Sequence, residues 1–207
     1  MEVEIKLRLP SADAHQLLAD SLPRSSHLAT HLQENLFLDT PSGRLALSRS
    51  ALRLRFYGPA DARCVLSLKS RPTLSSGVSR VLELEEDLDP SLGRAVVASP
   101  TTVLSLDSSE IVRRVKVEIG AEGEEEGFVC LGGFKNVRMV YGWEEGLVLE
   151  LDETEYGFGR CYEVECETSE PERAKEMLEG FLKEKGIPYS YSEASKFAVF
   201  RAGRLLP

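Results

Sequence analysis

Apolar and polar side chains alternate with a period of two over much of this chain, the pattern of strands that bury one face. Val3, Ile5, Leu7 and Leu9 interleave with Glu2, Glu4, Lys6 and Arg8. Leu52, Leu54 and Phe56 oppose Arg53, Arg55 and Tyr57, and Leu66 and Leu68 oppose Ser67 and Lys69. The alternation returns as Leu82 and Leu84 against Glu83 and Glu85, and as Leu149 and Leu151 against Glu150 and Asp152. Tyr162, Val164 and Cys166 oppose Glu163, Glu165 and Glu167 in the same way. Stretches near 27–39 and 128–143 read as further strands. Turn residues separate the segments at Thr40-Pro41-Ser42-Gly43, Gly58-Pro59-Ala60-Asp61, Ser75-Ser76-Gly77 and Glu144-Glu145-Gly146.

Helical periodicity appears in fewer places. Ser11 is predicted to cap a short helix with Ala14, Leu17, Leu18 and Leu22 on one face. Residues 90–118 read as an interrupted helix opened by Asp89-Pro90 and again by Ser99-Pro100, and the acidic run 122–126 reads as a solvated loop. The most regular helix is predicted from Glu170 to Lys185. Ala174, Met177, Leu178, Phe181 and Leu182 form its stripe, Ser169 and Glu172 a capping box, Pro171 its first turn and Gly186 its stop. A last helix is expected from Ser192 into the Arg201 region. No repeat or linker divides the 207 residues, so a single domain over 1–207 is expected. Roughly eight strands in up-and-down order with amphipathic helices predict a mainly β, α+β fold: a closed antiparallel barrel with peripheral helices, an open sheet being the alternative.

The charged strand faces then need a place. A solvated outer face is the plain reading, but amphipathic helices require an apolar sheet face to cover. These strands also carry carboxylate, guanidinium and ammonium groups almost exclusively, where an ordinary exterior mixes in neutral polar residues. If the helices take the apolar side, the charges line a wet lumen, because burying them dry would be prohibitive. Carboxylates at i, i+2 spacing (Glu2 and Glu4, Glu150 and Asp152, Glu163 and Glu165) are hard oxygen donors suited to Mg²⁺ or Mn²⁺. Lys6, Arg53, Arg55 and Lys69 offer forks and point charges for phosphate oxygens. Acids beside bases of this kind point to metal-assisted phosphoryl transfer. Paired carboxylates would also serve a glycosidase, but that chemistry leaves the basic quartet unexplained.

Composition narrows the classes further. Acidic residues outnumber basic ones, 34 to 25, giving a net charge of −9 that argues against non-specific nucleic-acid binding. No apolar run is long enough for a membrane helix. The 4 cysteines form no Cys-x-x-Cys pair, and Cys64, Cys130 and Cys166 read as packing residues. A soluble, cytoplasmic, monomeric protein with no nucleic-acid or membrane partner is expected.

In its motifs the sequence resembles the triphosphate tunnel metalloenzymes, also called the CYTH superfamily. Glu2-Val3-Glu4-Ile5-Lys6 matches the Glu-x-Glu-x-Lys opening, and Leu52-Arg53-Leu54-Arg55, Ser67-Leu68-Lys69, Glu83-Leu84-Glu85, Leu149-Glu150-Leu151-Asp152 and Tyr162-Glu163-Val164-Glu165 resemble the later strands in order. Lys196 matches the basic position near the carboxyl end. Cys130-Leu131-Gly132-Gly133-Phe134 and Glu163-Val164-Glu165-Cys166-Glu167 look most like the plant inorganic tripolyphosphatase branch. The resemblance implies a divalent-metal-dependent triphosphatase acting on tripolyphosphate or another triphosphate-bearing small molecule, with two ions of Mg²⁺ or Mn²⁺. It implies that Lys6, Arg53, Arg55, Lys69, Arg138 and Lys196 hold phosphates and that Glu2, Glu163 and Glu165 hold one metal. Glu4 and Asp152, with Glu83, Glu85 and Glu150, would hold or orient a second metal and the attacking water, which makes Glu4, Asp152 and Lys6 the expected catalytic residues. Adenylate cyclase, thiamine triphosphatase and a non-catalytic polyphosphate-binding module are the alternatives. Arg80 has the opposite strand parity to Glu83 and Glu85, so it reaches the charged face only through a bulge, and the poor alternation around Arg138 leaves its direction open.

Overall fold

The computed structural model describes residues 1–206. The elements are β1 (Glu2–Leu9), α1 (Ala12–Ser21), β2 (His27–Asp39), α2 (Arg44–Leu47), β3 (Ser50–Tyr57), β4 (Arg63–Ser75), β5 (Val78–Leu88), α3 (Pro90–Ala98), α4 (Glu110–Glu126), β6 (Val129–Gly142), β7 (Val148–Tyr156), β8 (Gly159–Glu167), α5 (Pro171–Glu184), β9 (Ser190–Tyr191) and α6 (Lys196–Ala202). Paired strands follow the order β5-β4-β3-β2-β6-β7-β8-β1-β9, and β5 also pairs with β1. The ladder from β1 to β8 therefore closes on itself as an eight-stranded antiparallel barrel, and the two-residue β9 is an addition to β1. Simple up-and-down order is corrected: β1 pairs with β5 in place of β2, and β2 pairs with β6, while β1–β8 closes the barrel as expected. Among the described residues no helix is long and apolar enough to cross a membrane.

The chain organises as two compact units, each with its own core. One comprises Met1–Leu32, Thr73–Arg80 and the chain from Lys135 on. Here Ala14, Leu18 and Leu22 of the α1 region and Ala174, Leu178 and Leu182 of α5 pack on Ile5, Leu7, Leu149, Leu151, Val164 and Cys166. Each fully buried leucine or isoleucine contributes about 1.5–3 kcal/mol relative to an exposed one. Ser11 caps α1 as its sequence predicts, its Oγ accepting from the Ala14 amide at 3.2 Å. The capping box before α5 does not form. Glu170 occupies the cap position without a side-chain bond to the helix, and its own amide donates to Thr168 Oγ1 at 3.0 Å. Gly186 follows α5 in the left-handed region at φ +67°, where a side chain would be strained.

The other unit comprises Gln33–Pro72 and Val81–Phe134. Val96, Ile111, Val112, Val115 and Ile119 from α3 and α4 cover Leu52, Leu54, Phe56, Leu66 and Leu68 of β3 and β4. The acidic run 122–126 is not a loop but the end of α4, which bends at Gly120. It has a cationic partner that its sequence neighbours do not reveal. Arg44 donates to Glu122 at 2.8 Å and Glu126 at 2.9 Å, and the Ser42 amide donates to Glu126 at 3.2 Å. Arg44 stands on α2, a four-residue turn organised by buried Asp39, which accepts from the amides of Thr40, Leu45 and Ala46. Gly133 has a packing reason: a Cβ there would lie 1.7 Å from the Asn35 carbonyl oxygen.

Candidate active site

Within the first unit, strand register lays acids and bases in rows on the sheet face opposite the helices. Arg138 pairs with Asp152, Asp152 with Glu163, and Glu163 with Arg8 across β6, β7, β8 and β1. The neighbouring row runs Glu150, Glu165, Lys6. Opposite charges attract across β6–β7 and β8–β1. By contrast, β7 and β8 set carboxylates directly opposite each other (Asp152 and Glu163, Glu150 and Glu165), and these repel unless cations lie between them.

Arg138 binds Asp152 bidentately, Nε to Oδ1 at 2.8 Å and Nη2 to Oδ2 at 2.6 Å. The same Nη2 donates to Glu165 Oε2 at 2.6 Å, and Nη1 pairs with Glu150. Asn136 Nδ2 adds a 2.8 Å bond to Asp152 Oδ1 and is itself oriented by the Thr154 hydroxyl at 2.7 Å. Lys6 Nζ lies 2.5 Å from Glu165 and 3.2 Å from Glu4. Lys196, the first residue of α6, lies 2.8 Å from Asp152, 2.9 Å from Glu163 and 2.5 Å from Glu165. Ser192 Oγ donates to Glu163 at 2.8 Å.

The charges are buried and matched. Burial works against the charged forms of Asp152 and Glu165, and the opposite charges outweigh it: Arg138 and Lys196 hold Asp152 well below the usual carboxylate range, and Lys196, Lys6 and Arg138 do the same for Glu165. Conversely, Asp152, Glu163 and Glu165 push Lys196 up, and Glu165 and Glu4 push Lys6 up against the burial penalty. Glu150 is the exception. Burial raises its pKa, and Arg138 only partly opposes that.

The second unit carries its own charged set. Arg53 donates to Ser67 Oγ at 3.0 Å, to Glu83 at 3.2 Å and to Glu85 at 3.3 Å. Lys69 lies 2.8 Å from Glu83. Arg55 donates to Asn35 Oδ1 and to the Tyr57 hydroxyl, each at 3.1 Å. Burial and the neighbouring Arg55 push Arg53 down to about 10.

The candidate residues thus fall into two groups. Glu4, Lys6, Arg138, Glu150, Asp152, Glu163, Glu165 and Lys196 meet in the first unit, where Glu2 is half-buried at the first position of β1. Arg53, Lys69, Glu83 and Glu85 meet in the second, with Arg55 beside Arg53 on β3. Arg138 joins the buried charges, whereas Arg80 is exposed, as its strand parity implies. Lys135, Arg113 and Arg114 are exposed too. Sequence reasoning placed Ser67 on the charged face beside Lys69 but gave it no role, and it missed Asn136 and Ser192. Asn136 shares strand parity with Arg138, a signal hidden because it carries no charge.

Among the described residues no three of Asp, Glu, His or Cys are placed to hold a metal between them as they stand. Ammonium and guanidinium groups bridge the carboxylates instead. The four cysteines are free, and burial pushes the Cys64 and Cys166 thiols up to about 11, which fits packing over reactivity.

The model of the CYTH domain matches residues 1–200. No curated protein matches the chain. Among solved structures, HpAC1 from Hippeastrum, a candidate adenylyl cyclase described as having a dominant triphosphatase activity, is 66% identical at TM-score 0.96, covering 100% of this chain and 98% of that one. A candidate adenylate cyclase from Bacillus halodurans is 22% identical at TM-score 0.72 (97% and 96% covered), and the protein PH1819 from Pyrococcus horikoshii 19% identical at 0.62 (97% and 99%). These two share the fold.

Proposed function

The chain belongs to the CYTH-domain family, and we propose that it hydrolyses inorganic tripolyphosphate with Mg²⁺ or Mn²⁺. The observation that carries this reading is the buried charge of the first unit. Asp152, Glu163 and Glu165 have side chains 0%, 2% and 4% exposed, and four cations, Lys6, Arg8, Arg138 and Lys196, share them. Such networks are often no more stable than apolar packing of the same volume, so stability alone does not account for one. Full-length identity of 66% to a protein with dominant triphosphatase activity supports the reaction class.

The donor set fits a hard divalent cation, since every candidate ligand is a carboxylate oxygen. Asp152, Glu163 and Glu165 would hold the ion, which supplies Lewis-acid polarisation of a phosphoryl oxygen when bound. Arg53, Arg55 and Lys69 act as phosphate-oxygen donors, with Arg53 aimed by Ser67, Glu83 and Glu85. Lys6 neutralises charge on the phosphate chain and holds Glu4. Asn136 and Arg138 fix the orientation in which Asp152 would present its carboxylate to the ion. Glu4, buried beside Lys6 at 3.2 Å, is the carboxylate that orients the attacking water and takes its proton.

Product analysis tests this. Tripolyphosphate should yield orthophosphate and pyrophosphate in equal amounts, and ATP should give no cyclic nucleotide. Cyclic AMP as the main product of ATP, with tripolyphosphate left intact, would move the assignment to a cyclase.

A further inference from the structure

The C-terminal segment grips Glu163 by both oxygens. Ser192 Oγ donates to Oε1 at 2.8 Å, and Lys196 Nζ lies 2.9 Å from Oε2. The same ammonium lies 2.8 Å from Asp152 Oδ2 and 2.5 Å from Glu165 Oε1. An ammonium carries three donors, and here each is matched by an oxygen from a different carboxylate. Lys6, by comparison, meets two carboxylates, and Arg138 is a flat fork that cannot sit as a point charge among three oxygens. Lys196 thus occupies the kind of oxygen-lined position that a small hard cation takes.

We propose that Lys196 is a tethered cation in the divalent-metal seat formed by Asp152, Glu163 and Glu165, and that metal entry displaces its ammonium and loosens α6. This rests on the metal-dependent reading above. Lys6 already shares Glu165 Oε1 with this ammonium, and Arg138 shares Asp152 Oδ2. A divalent ion entering the same oxygens adds to a repulsion that is already present and favours departure of Lys196. The distances do not suit both ammonium and metal, because Mg²⁺ takes oxygens at about 2.0–2.1 Å, whereas the ammonium holds them at 2.5–2.9 Å. The spacing accounts for the absence of a ready metal cage among the described residues: the carboxylates are set for an ammonium and must draw in by several tenths of an ångström for a metal. Lys196 is the first residue of α6, whose cap is Ser195 and whose first carbonyl accepts from the Tyr156 hydroxyl at 3.3 Å. When the ammonium leaves, the helix loses the ion pairs at its first residue.

The test uses the full chain without any phosphate compound, so it does not depend on turnover. Mn²⁺ binding is followed by electron paramagnetic resonance in the wild type, in Lys196→Met, which keeps the stem and removes the charge, and in Lys175→Met. Lys175 lies outside the cluster, with its ammonium on the Ser76 carbonyl, and controls for loss of one positive charge. Lys196→Met should bind Mn²⁺ at least tenfold more tightly, and Lys175→Met within about twofold of wild type. Equal or weaker binding by Lys196→Met would overturn the proposal. Hydrogen exchange in the wild type is the second readout and stands even if the variant fails to fold. Added Mn²⁺ should speed exchange of the amides over 196–202, and unchanged or slower exchange would also overturn the proposal. Metal-dependent phosphate release alongside an unresponsive α6 would remove this inference and leave the triphosphatase reading intact.

Discussion

Arg138 and Asp152 face each other across the β6–β7 ladder as a bidentate pair, with bonds of 2.8 and 2.6 Å and an Asp152 side chain that has no exposure at all. Removing the guanidinium leaves that carboxylate short of its main partner, although Lys196 and Asn136 remain. Breaking a buried pair from one side costs about 3–5 kcal/mol. Arg138→Met is therefore expected to lower the unfolding free energy by about 3 kcal/mol in urea, and Arg138→Lys to recover part of the loss. A change in Arg138→Met below about 1 kcal/mol would mean that the pair is replaceable.

Glu4 and Arg53 should separate chemistry from binding. Glu4→Gln keeps shape and removes the proton acceptor, so kcat for tripolyphosphate should fall on the order of a hundredfold or more, with KM little changed. Arg53→Ala should raise KM about tenfold or more, because a charge-assisted phosphate contact is lost. Steady-state kinetics of both variants decide it. A near-normal kcat for Glu4→Gln would remove Glu4 from its assigned role.

A buried histidine gives a pH signature. His15 on α1 is 7% exposed and tilted against the Tyr162 ring at 5.4 Å, and its Nε2 has no partner. Burial lowers its pKa below the ordinary 6.5, with Glu153 and Asp152 acting in the opposite direction. The unfolded chain thus takes up this proton more readily than the folded one. The folded state is undisturbed above about pH 6.5 and loses stability as pH falls through that value toward the lower folded pKa. Denaturation midpoints from pH 7.5 to 5.5 should drop more for wild type than for His15→Phe. Parallel curves would show that His15 is not the group responsible.

Helix propensity and packing oppose each other at Gly93 in α3. Alanine there gains about 1 kcal/mol of helix propensity. Its Cβ would lie 2.7 Å from Cys64 Sγ and 3.0 Å from Phe56 Cε1, a clash of the kind that costs about 1–3 kcal/mol. Phe56 has little room to yield, with the Arg94 guanidinium 3.7 Å above its ring. Gly93→Ala should lower the melting temperature. An increase would show that the strand face can relax.

The strands were legible because period-two alternation is local. β5 runs Val78–Leu88 as read, and the acids and bases of β1, β3, β7 and β8 share the faces that their parity assigns. What escaped is what tertiary contacts decide. The four residues of α2 and two of β9 are too short to show a period, and α2 owes its turn to Asp39. The acidic end of α4 is helical because Arg44, distant in sequence, faces it. The place of β1 between β8 and β5 could not be read from local alternation. Lys196 was reachable only through family resemblance, since nothing around it in sequence says that its ammonium meets three carboxylates.

Phosphate release from tripolyphosphate, with Mg²⁺ and again with excess chelator, tests the central claim most directly. Rapid release that stops on chelation and returns with added metal is the expected result. Release that continues unchanged in chelator, or its absence from folded protein that binds tripolyphosphate in the presence of metal, would contradict a metal-dependent triphosphatase.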